Sequence, residues 1–175
     1  MPSDGPPRVV YAYSVRALGV DYGRRRIGFA LSDATGLLAR PWKTVAREGG
    51  PEQVAAALSR EIAALTAESD GLAVIVLGLP RRLSGEPNDQ TPTVEAVAAR
   101  LRALVPLPVV LQDERLTSRE AESRLALREK DWRKRKPLLD AAAAAIILQD
   151  YLDGQPRAAA VDDLGHDNGY PGQER

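Results

Sequence analysis

The sequence lacks cysteine and has a single histidine, His166, among its 175 residues. Without thiols there is no disulfide framework and no thiolate zinc site. His166 lies in a stretch rich in Gly, Asp and Asn near the C-terminus, so histidine-based catalysis or zinc binding is not expected. Excess charge is missing too, since 24 Lys and Arg balance 24 Asp and Glu. That argues against a generic polycation that coats nucleic acid, while leaving room for local basic clusters. No apolar run is long enough to span a membrane. Residues 1–13 are Pro-rich and have no apolar core of the kind a signal peptide needs. A cytoplasmic protein with no membrane partner is expected. If the chain is an enzyme, its chemistry runs on carboxylates, cations and hydroxyls.

What is present fits one domain with a real core. Residues 1–15 read as a loose lead-in, 16–153 as the folded domain and 154–175 as a mobile tail. Arg16 to Asp33 read as a strand, a tight turn of Gly and Arg, and a second strand. Residues 36–48 supply a third strand, with Pro41 pointing to an edge or a bulge. Pro51 opens a helix whose Val54, Leu58, Ile62 and Leu65 share a face. The continuous apolar run Leu72-Ala73-Val74-Ile75-Val76-Leu77 suits a central strand buried on both faces. Thr91-Pro92 can cap the next helix, with Val94, Val97, Leu101 and Leu104 facing inward. Residues 107–112 form another strand, and the Thr117/Glu120 pair predicts a capping box for a helix to about Glu129. Pro137 precedes a last helix through Leu152. The fold class is α/β: a mixed five-stranded sheet, three antiparallel strands then two parallel, with helices on both faces.

Acids stand at the ends of these elements. Asp21 ends the first strand beside an arginine turn, a placement that suits a metal ion and a phosphate together. It equally suits an ordinary hairpin with a solvated acid. Asp113 and Glu114 follow the last strand, where alternation prevents both from facing one site unless the strand has ended. Glu114 could instead pair with Arg115 or Arg119. Asp140 opens the Ala-rich helix, where an acid stabilises a first turn by ~0.3–1 kcal/mol through the helix dipole. If Asp21, Glu114 and Asp140 converge, their mutual repulsion calls for a divalent cation.

Four blocks resemble a known family. Leu18-Gly19-Val20-Asp21-Tyr22-Gly23, Val76-Leu77-Gly78-Leu79-Pro80, Asp113-Glu114-Arg115-Leu116-Thr117 and Asp140-Ala141-Ala142-Ala143 look like signature blocks of the YqgF (RuvX) family, in the same order. The resemblance implies a ribonuclease H-like fold related to RuvC-type Holliday junction resolvases. It also implies a nuclease that matures the end of pre-16S ribosomal RNA. On it, Asp21, Glu114 and Asp140 are the acidic metal ligands and the catalytic set, with Asp113 a fourth candidate. A RuvC-type resolvase takes an acid from the end of the strand that here reads Val74 to Leu77, but this chain has Gly78-Leu79-Pro80 there. Such resolvases also carry a second aspartate three residues after the helical one, where this chain has Ala143.

Carboxylates suit Mg²⁺ or Mn²⁺, which prefer oxygen ligands, and two such ions ~3.5–4 Å apart could flank a scissile phosphate. The substrate would meet Gly23 and Arg24 in the first turn and Arg115 and Thr117 after the last strand. The long polar loop of residues 79–91 adds Arg81, Arg82 and Asn88. The basic stretch containing Trp132, Arg133, Lys134, Arg135 and Lys136 adds phosphate contacts, and Trp132 either stacks on an unpaired base or packs on the core edge.

The expected partner is nucleic acid, with RNA ahead of single-stranded DNA or a junction, bound by a monomer or weak homodimer. Two further functions fit the sequence: a junction resolvase in DNA recombination and repair, and a non-catalytic nucleic-acid adaptor. A sugar kinase or actin-like ATPase shares the Gly-x-Asp-x-Gly turn but needs a second domain and a second phosphate motif, for which this chain is too short.

Overall fold

A computed structural model of the chain describes residues 16–114 and 132–156. Five strands, β1 (Arg16–Tyr22), β2 (Arg26–Ser32), β3 (Ala39–Ala46), β4 (Leu72–Leu79) and β5 (Val109–Asp113), form one sheet in the order β3-β2-β1-β4-β5. β1–β2 and β2–β3 pair antiparallel, and β1–β4 and β4–β5 pair parallel. This is the mixed sheet expected from the sequence. The described helices are α1 (Pro51–Thr66), α2 (Thr91–Leu104) and α3 (Trp132–Asp153). The expected helix starting at Thr117, the lead-in of residues 1–15 and most of the tail lie outside the described residues.

Strand alternation divides the core into two layers. Leu18, Val20 and Phe29, with Ile75 and Leu77, join the apolar faces of α1 and α2 on one side. Ala17, Ala30, Val74 and Val76 meet α3 on the other. The β4 run is apolar throughout because both of its faces are covered. β3 is the edge strand, and its register slips so that Phe29 faces Lys43 while Ala30 faces Pro41. Trp42 is the extra residue of this bulge, which lets Pro41, with no N–H to donate, sit in the strand.

Three expectations need correction. Leu104 does not face the core: it is 54% exposed at the end of α2. Thr91 is not the cap of α2 but its first residue. The capping acceptor is Asn88, whose Oδ1 takes the N–H groups of Gln90 (2.9 Å) and Thr91 (3.1 Å). Pro137 does not precede the last helix. α3 begins at Trp132, so Asp140 lies two turns inside it and is not a first-turn residue. The basic stretch from Trp132 to Lys136 is accordingly helical backbone rather than loop.

α3 packs unusually close to the sheet, and the sequence supplies small residues on both sides of the contact. Residues 141–148 of the helix are all buried. A Cβ on Gly19 of β1 would fall 2.7 Å from Leu148 Cβ and 2.8 Å from the Ala144 carbonyl oxygen. On Gly28 of β2 it would fall 2.0 Å from the Asp140 carbonyl oxygen. These glycines answer to close approach of backbone.

Candidate active site

The sheet brings Asp21 to the face that α3 covers. Gly28 is its direct partner across the β1–β2 ladder, and paired residues present their side chains to the same face. Gly28 is the residue on which the Asp140 carbonyl rests. The same contact that seats the helix therefore sets Asp140 beside Asp21. A tight turn closes the hairpin, with the Gly23 N–H donating to the Arg26 carbonyl at 2.9 Å. Gly23 is required there because a Cβ would lie 2.6 Å from that oxygen.

Glu114 reaches the site from just beyond β5. Its backbone N–H donates to the Leu79 carbonyl at 3.3 Å, carrying the ladder one residue past the strand. Its carboxylate extends across to β4, where a Cβ on Gly78 would lie 2.7 Å from Glu114 Oε2. Gly78 thus leaves open the space that the side chain from β5 fills. The missing acid at the end of β4 and the acid after β5 are two aspects of one arrangement.

The electrostatics confirm that the acids crowd one another. Burial, reinforced by the charge of Asp140, pushes the Asp21 carboxyl up to about 7. Burial, then Asp21, then Asp113 push Glu114 up to about 8. Groups that hold protons near neutrality in this way mark a place built for a positive charge or for proton chemistry. Asp140 is held differently: Arg26 Nε donates to its Oδ2 at 2.6 Å, with both side chains partly buried. Among the described residues, no three acidic or histidine side chains yet surround a common point closely enough to hold an ion.

Arg26 is the residue that sequence reasoning missed. The available signal was strand parity: Arg26 and Gly28 are two apart on β2 and share one face of the sheet with Asp21. The glycine at 28 shows that this face is the covered one.

The proposed substrate residues divide into several groups. Arg24 is exposed and ion-paired with Asp89, which ties the β1–β2 turn to the loop before α2. Arg82 is exposed. Arg81 is partly spent inside its own loop, donating through its terminal nitrogen to the Gly85 carbonyl at 2.9 Å. The Asn88 carbonyl oxygen is spent on capping α2. Arg115 and Thr117 lie outside the described residues, and Trp132 to Lys136 are described as helical backbone only.

With this geometry established, comparison places the chain. A family model described as "RuvX: Holliday junction resolvase" matches residues 15–154. The chain belongs to the RuvX family. A protein of Crocosphaera subtropica named "Putative pre-16S rRNA nuclease" is 40% identical over 147 residues, covering 84% of this chain and 98% of that one. A protein of the same name from Halalkalibacterium halodurans is 40% identical over 141 residues, covering 81% and 98%. Among solved structures, T. thermophilus RuvC bound to a Holliday junction substrate aligns with a TM-score of 0.47 at 13% identity, covering 79% of this chain and 93% of that one. The four blocks that suggested the RuvX family from sequence all fall within the matched residues.

Proposed function

We propose that this RuvX-family chain is a metal-dependent nuclease that hydrolyses phosphodiester bonds in RNA and matures pre-16S ribosomal RNA in the cytoplasm. The observation that supports this reading is that the charge of Asp21 on β1 interacts with those of Asp140 on α3 and Glu114 just beyond β5, so that three separate elements bring acids to the same region. Two of the three are held protonated near neutrality by burial and mutual charge. The donor set fits a hard divalent cation, Mg²⁺ or Mn²⁺, because every donor is a carboxylate oxygen. When bound, such a cation would supply water activation and stabilisation of charge at the phosphate.

The chain's own residues do the rest. The strand backbone fixes Asp21, Gly78 clears the place for Glu114, and Gly28 seats the turn of α3 that carries Asp140. Arg24 and Arg82 stand exposed on neighbouring loops and can receive backbone phosphates. The basic stretch at the start of α3 enters the same helix that delivers Asp140, so a strand held there is led towards the acids. Arg81 and Asn88 serve this surface indirectly, by bracing the loop and capping α2.

The names of the curated relatives favour RNA, whereas the family description names a DNA junction. The test is cleavage of single-stranded RNA bearing precursor ends by the full chain in Mg²⁺ or Mn²⁺. Asp21→Asn keeps the size of the side chain and removes its charge. It is expected to lower the rate by on the order of 100-fold or more while RNA affinity holds and the melting temperature does not fall. Wild-type rates in that variant would remove the assignment of the site. RNA binding that survives together with an inactive wild-type protein would favour the adaptor reading.

A further inference from the structure

A cation of the chain itself already holds one of the three carboxylates. Asp140 is close enough to Asp21 for their charges to interact, yet its Oδ2 is bound to Arg26 Nε at 2.6 Å. The pair is partly shielded, with side-chain exposures of 35% and 20%. Neither partner's backbone is free to drift. The Arg26 carbonyl is fixed by the Gly23 N–H at 2.9 Å, and the Asp140 carbonyl lies against bare Gly28. Only the two side chains can move apart.

We infer that Arg26 is a placeholder for the divalent cation: its guanidinium occupies Asp140 in the metal-free protein and competes with the metal for that carboxylate. This rests on the metal-dependent reading of the site given above. The physical argument concerns charge balance. Neighbouring carboxylates repel, and among the described residues Arg26 answers that repulsion at Asp140. A metal ion that recruits Asp140 must first displace a charge-assisted hydrogen bond, which lowers its net affinity. Arg26 acts through Asp140 and is therefore a positioning residue. A residue that merely held Asp140 in a metal-ready pose would have the opposite effect, because its loss would weaken metal binding.

That opposition of sign makes the experiment decisive. Mn²⁺ binding to the full chain, without nucleic acid, is measured by calorimetry and by the electron paramagnetic resonance signal of free Mn²⁺. Arg26→Gln is expected to bind Mn²⁺ roughly three- to tenfold more tightly than wild type. Arg26→Lys, which keeps the positive charge, should stay within about twofold of wild type. The gain must vanish when Arg26→Gln is made in an Asp140→Asn background, since the competition then has no object. Circular dichroism and melting temperature verify that each variant is folded. If Arg26→Gln does not fold, Arg26→Met and Arg26→Lys are compared in its place, with tighter binding again required of the neutral variant. Equal or weaker Mn²⁺ binding by a folded neutral variant overturns the inference while leaving the metal site standing. Absence of Mn²⁺ binding in both the wild-type protein and the folded neutral variant overturns the site itself.

Discussion

Asp21 and Glu114 each hold a proton at a pH where a solvated carboxylate has lost it. The first cause in both is burial, and the charges of Asp140 and Asp113 add to it. Arg26 is an oppositely charged group placed against these acids, and it is engaged with Asp140. The consequence for stability has a definite sign. Both groups have folded values above the ordinary ones, about 7 against 3.8 for Asp21 and about 8 against 4.5 for Glu114. Between those limits the folded chain binds more protons than the unfolded chain, so stability falls as pH rises. Their stabilising contribution is therefore fully present below about pH 4 and lost by about pH 8. With divalent ions removed by chelation, the melting temperature is expected to fall over that interval, apart from losses at the acid end due to other groups. Added Mg²⁺ should raise it more at about pH 8 than at about pH 5, because ligation requires the ionised carboxylates. Thermal melts at both pH values, with and without Mg²⁺, check this; an equal or larger Mg²⁺ effect at the lower pH would contradict it. At this scale the sequence was legible where an acid ended a strand, as at Asp21 and Glu114. Arg26 was illegible because three consecutive arginines, Arg24 to Arg26, look alike until the register shows which of them shares a face with the site.

Elements were easier to read than their ends. The run from Leu72 to Leu77 announced a strand buried on both faces, and Pro41 announced the edge, because both signals are local. The start of α3 was misread because Pro137 looked like a helix opener, whereas the helical backbone runs through it from Trp132. That error also misjudged Asp140, which would be a dipole-stabilising acid in a first turn and instead lies two turns inside the helix. Gly19, Gly28 and Gly78 lie within strands, and the sequence assigned them no packing role. Their meaning depends on the opposite surface, which no local pattern reveals. Gly28→Ala tests this directly. Its new Cβ would lie 2.0 Å from the Asp140 carbonyl oxygen and 2.7 Å from the Ala141 nitrogen, both backbone atoms. The helix must shift, so a loss of roughly 3 kcal/mol is expected, together with a larger loss of metal affinity than of RNA affinity. Urea unfolding and Mn²⁺ titration measure the two effects. A variant with wild-type stability and Mn²⁺ affinity would show that α3 does not need this close seat to place Asp140.

Across the whole molecule, the expectation that a single strand is preferred over a junction rests on charge. The chain carries no net charge, so its phosphate contacts must come from clusters and not from a broad basic surface. Of the described cations expected to meet substrate, Arg24 and Arg82 stand exposed on two loops, and Arg24 is already paired with Asp89. Paired cuts in a four-way junction call for two such sites related by a two-fold axis. The exposed edge of the sheet is a poor place to build that axis, because Pro41 and the bulge at Trp42 interrupt β3 and blunt edge-to-edge pairing. A single strand asks for less: a few phosphate contacts, a path to the carboxylates, and an aromatic ring such as Trp132 to stack on, worth ~1–3 kcal/mol per base. Single-stranded RNA is therefore expected to be cut at least about tenfold faster than an intact four-way DNA junction at equal Mg²⁺ and salt, by a protein that sediments as a monomer or weak dimer. Cleavage time courses on both substrates, with analytical ultracentrifugation at the assay concentration, measure this ranking. Symmetric paired nicks by a stable dimer, with the RNA left whole, would reverse it and make the junction the substrate of the same three carboxylates.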